Sequence, residues 1–388
     1  MQVYKGSILI QYSDKIEYYK NRLQSDTIVI QDSDDHIEHI ALFVAWNKVG
    51  GNIFVKSSML PKDQDRHVLG EIKDLKINNS IVFHTSGTTG LPKLVVHTKK
   101  QILAAAEMTT EASGWNSLTR FLNLIPAATS GFWHIVMSTS LKHNSSLILS
   151  SRSTVLDDIS LGNLIILVPA LIDQLRIHFK DQQIDFSHYT AVMAGASQVL
   201  ERHAAWCFSK NAPQFIHLYG MTETCSPVLC RRSESLDKWT TALNLTPLGN
   251  NQVKIEDSVL WIKGTSLAEG LPEWFNTEDT WTLEDDCIRF AGRINDRVKL
   301  NGYMANLLLI ENEFEKEEFD LGEVLAVPRN SLGSDWIELY YTNQNAGINK
   351  EQFADKTKHI LLECSIPKKY TWVNSIKKNN YGKKLRNS

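Results

Sequence analysis

Cysteine is scarce. Cys207, Cys225, Cys230, Cys287 and Cys364 are all that the chain carries. An odd number at scattered spacing excludes a disulfide framework. Cys225 and Cys230 stand too isolated from other metal-ligating residue types to read as a zinc motif. Long apolar runs are also missing. No stretch approaches the roughly 18 uninterrupted apolar residues of a transmembrane helix. The opening Met1–Ile8 lacks the apolar core of a secretory signal, so a cytoplasmic location is expected. Neither sign of charge is in excess. The net charge of −3 removes the electrostatic case for DNA, RNA or an anionic membrane as partner. Internal repeats and low-complexity tracts are absent. What remains is a 388-residue chain that is 43% hydrophobic, enough to bury a large core in two or more domains. Its ten tryptophans are dispersed and expected in the core or in pocket walls.

The most informative segment is His84-Thr-Ser-Gly-Thr-Thr-Gly-Leu-Pro-Lys93. It follows a short apolar run, Ile81–Phe83. Thr85, Ser86, Thr88 and Thr89 offer hydroxyls. Gly87 and Gly90 let the backbone turn sharply and bring N–H groups to an anion, and Lys93 adds a compact positive charge. This is a phosphate cradle by chemistry, although a flexible polar turn can have the same composition. It is not the common nucleotide P-loop, because Leu91 and Pro92 separate Gly90 from Lys93 and Leu94 stands where Ser or Thr is needed.

Along the chain, residues 35–49 carry apolar side chains at helical spacing and predict an amphipathic helix ending at Gly50-Gly51, with a strand at 52–55. Further strands are predicted at 81–83, 145–149, 164–168, 189–193 and 214–218, and helices at 99–112, 170–179 and 199–209. Short apolar runs alternating with helices predict an α/β fold with a largely parallel, covered sheet. The loops beginning at His84, Gly195 and Tyr219 each follow a predicted strand and could meet at one rim. From about residue 240 the pattern turns to short strands, with a hairpin at 253–262. A boundary is predicted near Gly292–Asp296, followed by a smaller α+β unit. The last stretch, from Ser365, has no Asp or Glu but several lysines, including Lys377, Lys378, Lys383 and Lys384. Such a run reads by itself as a solvated basic tail.

Three more segments carry chemistry. In Tyr219-Gly220-Met221-Thr222-Glu223-Thr224, an aromatic, a hydroxyl and a carboxylate follow a strand, so they could stack on a base, bond a phosphate and hold Mg²⁺. A capped turn is the plainer alternative. Asp279 could accept two ribose hydroxyl bonds, or simply belong to an acidic turn. Phe290–Lys299 is rich in cations and joins the two expected domains.

Taken in order, these motifs resemble the adenylate-forming superfamily of acyl- and aryl-CoA ligases, non-ribosomal adenylation domains and luciferases. The elements that carry the resemblance are Thr85–Lys93, Gly195-Ala196-Ser197, Tyr219–Glu223, Asp279, Gly292-Arg293, Lys299–Tyr303 and Gly382-Lys383. They span roughly residues 35–388. Within the superfamily the chain looks most like the compact o-succinylbenzoate–CoA ligases of menaquinone biosynthesis, on the Gly-Leu-Pro-Lys ending followed by His97-Thr98, on Leu167-Val168-Pro169 and on Gly264–Gly270.

The resemblance implies an α/β fold. A large N-terminal adenylation domain of layered sheets and helices (1–294) would be truncated relative to the family, and a small mobile α+β lid (295–388) would follow. It implies ATP, Mg²⁺ and a small carboxylic acid as reactants, with coenzyme A or the phosphopantetheine of an acyl carrier protein as thiol. Thr85, Ser86, Gly87, Thr88, Thr89, Gly90 and Lys93 would hold the β- and γ-phosphates. Thr222 would contact the α-phosphate and Glu223 would ligate Mg²⁺. Gly195, Ala196, Ser197, Tyr219 and Gly220 would wall the adenine, and Asp279 and Arg293 would hold the ribose. Lys383 would bridge the acid and the ribose, Asn295 would be the hinge, and Gly302 would lie on the thiol side. Trp133, His134, Gly195, Thr224 and Ser226 would form the acid pocket. The oligomeric state stays open, a dimer included.

Several positions depart from the family pattern. The segment before the phosphate loop is about half the usual length. Glu278 replaces a usual Gly, Asn295 a usual Asp or Lys, Leu308-Leu309 a usual Gly-Glu, and Lys377 a usual Pro. No Asp lies between Pro126 and Ser150 to hold the ammonium of an amino-acid substrate. The alternatives are an enzyme that loads a carrier protein and an inactive nucleotide-binding homologue.

Overall fold

The computed structural model describes residues 1–25, 28–56, 62–85, 93–178, 184–241, 245–284, 287–293, 296–300, 303–331, 334–358, 361, 363–378 and 384. The chain divides into two compact units. The first holds Met1–Val253 with Ile262–Phe275, and the second holds Lys254–Trp261 with Asn276–Ser388.

Two sheets, rather than one, organise the first unit. The larger has nine strands, ordered Thr246–Pro247, Ser226–Ser233, Phe215–Met221, Ala191–Ala194, Leu164–Leu167, Arg120–Asn123, Ser146–Leu149, Gln2–Lys5 and Ile8–Leu9. The six strands from Phe215–Met221 to Gln2–Lys5 run parallel. Antiparallel strands flank them on both sides. The central strands are buried along their length, which is why they read as continuous apolar runs such as Leu164–Leu167. Helices Pro169–His178 and Glu201–Ser209 follow strands of this sheet. Its core gathers Ile165, Leu167, Ile172, Phe186, Val192 and Phe215.

The smaller sheet has four strands, ordered Val29–Gln31, Ile53–Val55, Ser80–Thr85 and Lys93–Thr98. The first three are parallel, and the last closes an antiparallel hairpin with Ser80–Thr85. His84 therefore does not begin a loop. It is the fifth residue of its strand, and it lies in a different sheet from Gly195 and Tyr219, so the single rim expected from the sequence is replaced by the ends of two sheets.

The helix His36–Val49 is present, with Asp35 accepting from the N–H of Ile37 at 2.9 Å and Gly50 closing it at φ 76°. It is not amphipathic. Every residue from His39 to Trp46 is buried, so the helix is covered all round. Polar groups on it find partners inside the fold. His39 Nε2 meets Ser33 O at 2.6 Å, while Trp133 Nε1 donates to His39 Nδ1 at 3.1 Å. Burial pushes the His39 pKa down to about 4 and keeps it neutral.

In the second unit, strands Phe275–Glu284 and Cys287–Arg293 pair antiparallel. From Arg297 onward the unit is α+β. A short hairpin is followed by helix Leu307–Phe314, capped by Asn306. A three-stranded sheet then follows, of Val324–Ser331, Ser334–Tyr341 and Lys369–Trp372. Phe314, Phe319, Phe353 and Tyr370 pack edge to face or tilted at its core. The basic tail is not uniformly solvated. Lys384 pairs with Glu311 on that helix and with Glu315 just past its end, and Lys378 pairs with Glu323. Among the described residues no helix is long and apolar enough to cross a membrane.

Candidate active site

The hairpin Ser80–Thr85/Lys93–Thr98 flanks the expected phosphate cradle. Its register sets Thr85 directly opposite Lys93. Ser86, Gly87, Thr88, Thr89 and Gly90 lie outside the described residues, whereas Lys93 is exposed at the strand start.

The second expected element is the end of the strand Phe215–Met221. Its ladder with Ser226–Ser233 slips between Tyr219 and Gly220, a local irregularity that bends a strand and re-aims the residues beyond it. The turn Thr222–Thr224 comes next. Thr224 folds back and caps it, since Met221 N donates to Thr224 Oγ1 at 3.0 Å. Thr222 Oγ1 lies 3.0 Å from Ser130 Oγ, and its carbonyl oxygen accepts from His97 Nε2 at 2.7 Å. The carbonyl of Glu223 accepts from Ala268 N at 2.9 Å, and Val96 O accepts from Glu269 N at 2.9 Å. The strand that begins with Lys93 is thus tied to the Thr222–Glu223 turn directly through His97 and indirectly through Ala268-Glu269. Motif matching passed over Ser130 and His97 as site residues. Both stand in or beside motif-bearing segments, but only the fold shows what they touch.

Gly195 follows the neighbouring strand Ala191–Ala194. A Cβ placed on it would sit 2.7 Å from Leu218 O, so glycine is required by close approach of the two backbones. Ala196 adopts φ 70°, an uncommon left-handed conformation for a residue with a Cβ. Gly195, Ala196 and Tyr219 thus sit at neighbouring strand ends, with Tyr219 half-buried. Trp133, His134 and Thr224 are fully buried, and the Ser226 side chain lies outside the described residues.

In the second unit the expected ribose pair meets as a cross-strand pair, Asp279 opposite Arg293. Asp279 is buried, and its N–H bonds Thr277 Oγ1 at 3.2 Å. The preceding Glu278 has φ 57°, in the region that favours glycine, which explains why a glycine is the usual residue there. Asn295, Gly302 and Lys383 lie outside the described residues, as does the side chain of Arg293. A separate cleft of about 550 Å³ in the first unit is lined by Gln101, Lys263, Leu267, Glu269 and Glu273 among others. It contains none of the residues expected to bind the nucleotide.

The family model for the AMP-binding enzyme matches residues 15–271. The chain belongs to the AMP-binding enzyme family. This AMP-binding enzyme is 24% identical over 339 residues to the 2-succinylbenzoate–CoA ligase of Enterococcus faecalis, covering 78% of this chain and 67% of that protein. It is 24% identical over 364 residues to the enzyme of the same name from Staphylococcus aureus, covering 85% and 70%. Among solved structures it shares the fold of o-succinylbenzoate CoA synthetase from Bacillus subtilis in complex with its acyl-adenylate intermediate. The TM-score is 0.79 at 17% identity, over 99% of this chain and 94% of that one. ATP-bound MatB from Rhodopseudomonas palustris has a TM-score of 0.81 at 14% identity, over 99% and 94%. The expected α/β fold of layered sheets is thereby borne out.

Proposed function

We propose that the chain is an AMP-forming acid–CoA ligase whose acid is 2-succinylbenzoate. The reading is supported above all by matches along 78% and 85% of the chain to proteins named for that reaction. The site chemistry is compatible with it. Thr222 and Glu223 offer hydroxyl and carboxylate oxygens on one turn, the donor type that a hard divalent cation takes. Mg²⁺ held there would neutralise phosphate charge.

In the first step a carboxylate oxygen of the acid attacks the α-phosphorus of ATP, an oxygen–phosphorus bond forms, and the bond to pyrophosphate breaks. This step needs positioning and charge neutralisation rather than a protein nucleophile. The 85–93 hairpin end would hold the leaving phosphates and Thr222 the α-phosphate, with its carbonyl pinned by His97. Gly195, Ala196, Ser197, Tyr219 and Gly220 would wall the adenine, and Asp279 and Arg293 would hold the ribose. Lys383 would offset the repulsion between the two anions. In the second step the CoA thiol, losing its proton, attacks the acyl carbon and AMP leaves. Residues 295–388 would act as the lid for this exchange, turning at Asn295 and bringing Gly302 to the thiol side.

Pyrophosphate exchange across a panel of aryl, keto, fatty and amino acids, followed by thioester analysis, tests the proposal. Exchange and CoA thioester with 2-succinylbenzoate, both lost in Lys383→Ala, are expected. Adenylate that passes only to a carrier phosphopantetheine would replace the ligase reading. ATP binding without exchange for any acid would refute catalysis.

A further inference from the structure

The sequence gives Cys225 no zinc motif, and the fold brings it two histidines from elsewhere in the chain. Three elements of the first unit converge. His97 lies on the strand Lys93–Thr98, His134 on the π-helical turn Phe132–Met137, and Cys225 just beyond the Thr222–Thr224 turn. One ligand atom from each lies within 4.8 Å of the others, and all three residues are buried. The two imidazole rings stand edge to face, with centroids 4.7 Å apart.

The hydrogen-bond pattern fixes what His97 offers. Its Nε2 faces Thr222 O at 2.7 Å. A carbonyl oxygen only accepts, so Nε2 carries the hydrogen and Nδ1 keeps its lone pair. That Nδ1 is buried and has no hydrogen-bond partner, and neither does the buried Nε2 of His134. Two orphaned imidazole nitrogens in one site are costly, because each keeps the desolvation penalty of a buried polar atom with no hydrogen bond to offset it. Burial also holds His97 down to about 4 and His134 well below the ordinary histidine value, which leaves both neutral, as metal ligands must be. Cys225 itself has φ 53°, an uncommon backbone conformation for this residue type. A ligating histidine that donates its other nitrogen to a backbone carbonyl is the usual outer-shell arrangement of a metal site.

We propose that His97, His134 and Cys225 form a buried zinc(II) site that fastens the Thr222–Glu223 turn to the strand carrying Lys93. Two imidazoles and a thiolate are ligands that suit zinc, bound through His97 Nδ1, His134 Nε2 and Cys225 Sγ. Burial pushes the Cys225 thiol up, so the metal must displace its proton to solvent on binding; no electrons are transferred. Among the described residues no fourth His, Cys, Asp or Glu joins the group. Among the described residues the fourth position is left to water or to a non-ionisable oxygen.

The test of this site reads metal rather than turnover. The full chain, expressed in zinc-supplemented medium, is analysed for metal content. It is then reconstituted with cobalt(II), which reports a thiolate ligand by charge-transfer absorption. About one zinc per chain, a thiolate-to-cobalt band and a rise in melting temperature on adding zinc to stripped protein are expected. Cys225→Ser and His134→Gln should each lose at least about tenfold in zinc affinity. Cys230→Ser removes another buried free thiol, one outside the cluster, and should keep the metal. Should Cys225→Ser fail to fold, the wild-type measurements decide alone. Folded wild-type protein that holds no zinc and gains no melting temperature from it overturns the proposal, with a plain thiol–imidazole hydrogen bond as the replacement. Metal retained equally in Cys225→Ser and His134→Gln overturns it too.

Discussion

Replacing Lys384 by methionine tests how the C-terminal segment is held. Its Nζ lies 2.5 Å from Glu315 Oε1 and 3.5 Å from Glu311 Oε2, and the side chains of Lys384, Glu315 and Glu311 are 20%, 13% and 2% exposed. Burial alone would lower the lysine pKa, but Glu311 and Glu315 override it and raise the value. A raised lysine contributes stability that is complete below its ordinary value and lost only as pH rises through the folded one, so the contribution is whole at neutral pH. Methionine keeps the stem and removes the cation, which takes one partner from two carboxylates with little exposure. Removing one partner of a buried ion pair costs about 3–5 kcal/mol. The lower end applies, about 3 kcal/mol, because Glu311 still accepts from Ala326 N at 2.9 Å. Urea unfolding followed by tryptophan fluorescence should move the midpoint down by about 1–3 M, from the usual range of denaturant slopes. Lys378→Met, which breaks the more exposed pair with Glu323, should cost less than about 1 kcal/mol. A Lys384→Met loss as small as that would refute the reasoning and return the tail to a solvated charge run.

Three further outcomes are expected. Glu278→Gly should stabilise the chain by roughly 0.5–1 kcal/mol, as relief of a left-handed residue outweighs the added unfolded-state entropy, and a melting curve checks it. Gly195→Ala should destabilise by about 1–3 kcal/mol and weaken ATP binding in titration calorimetry, since its Cβ would press on Leu218 O; unchanged affinity and stability would show that the two strand ends can spread. For Glu338, burial alone would raise its pKa, but Lys369, Arg329, Thr371 and Tyr340 pull it from 4.5 to about 2. The stability it contributes is present above its ordinary value and lost as pH falls towards about 2, so wild type should lose more stability than Glu338→Gln between pH 5 and pH 3 in urea unfolding.

Strands and helices were legible wherever periodicity carried them. The runs at 164–168 and 145–149 became strands within a residue or two, and Gly50 closed the helix that it was expected to close. Periodicity does not say what an element packs against. The helix His36–Val49 reads as one-sided, yet it is covered all round because helix Ser13–Ser25 and the 132–137 turn pack on it. Nor does it assign a strand to a sheet, which is why His84 and Gly195 were expected at one rim. The motifs proposed to bind the nucleotide can be read from sequence because they are local, each a few consecutive residues. His97 with Thr222, His134 with Cys225, and Lys384 with Glu311 join residues far apart in sequence, and only the fold brings them together.

The strand from Lys93 to Thr98 has a further property. Lys93, Val95 and His97 occupy alternate positions, so they share one face of the strand. Lys93, proposed as the phosphate-side cation, and the imidazole that grips Thr222 therefore keep a relation of parity, set by an even count of residues and not by their identities. One residue inserted or deleted between them would send one of the two to the opposite face, with composition nearly unchanged. Two inserted residues would restore the sidedness while lengthening the span by about 6–7 Å. Variation in length at this point should thus be filtered by odd and even, a pattern that substitution scanning alone would never reveal.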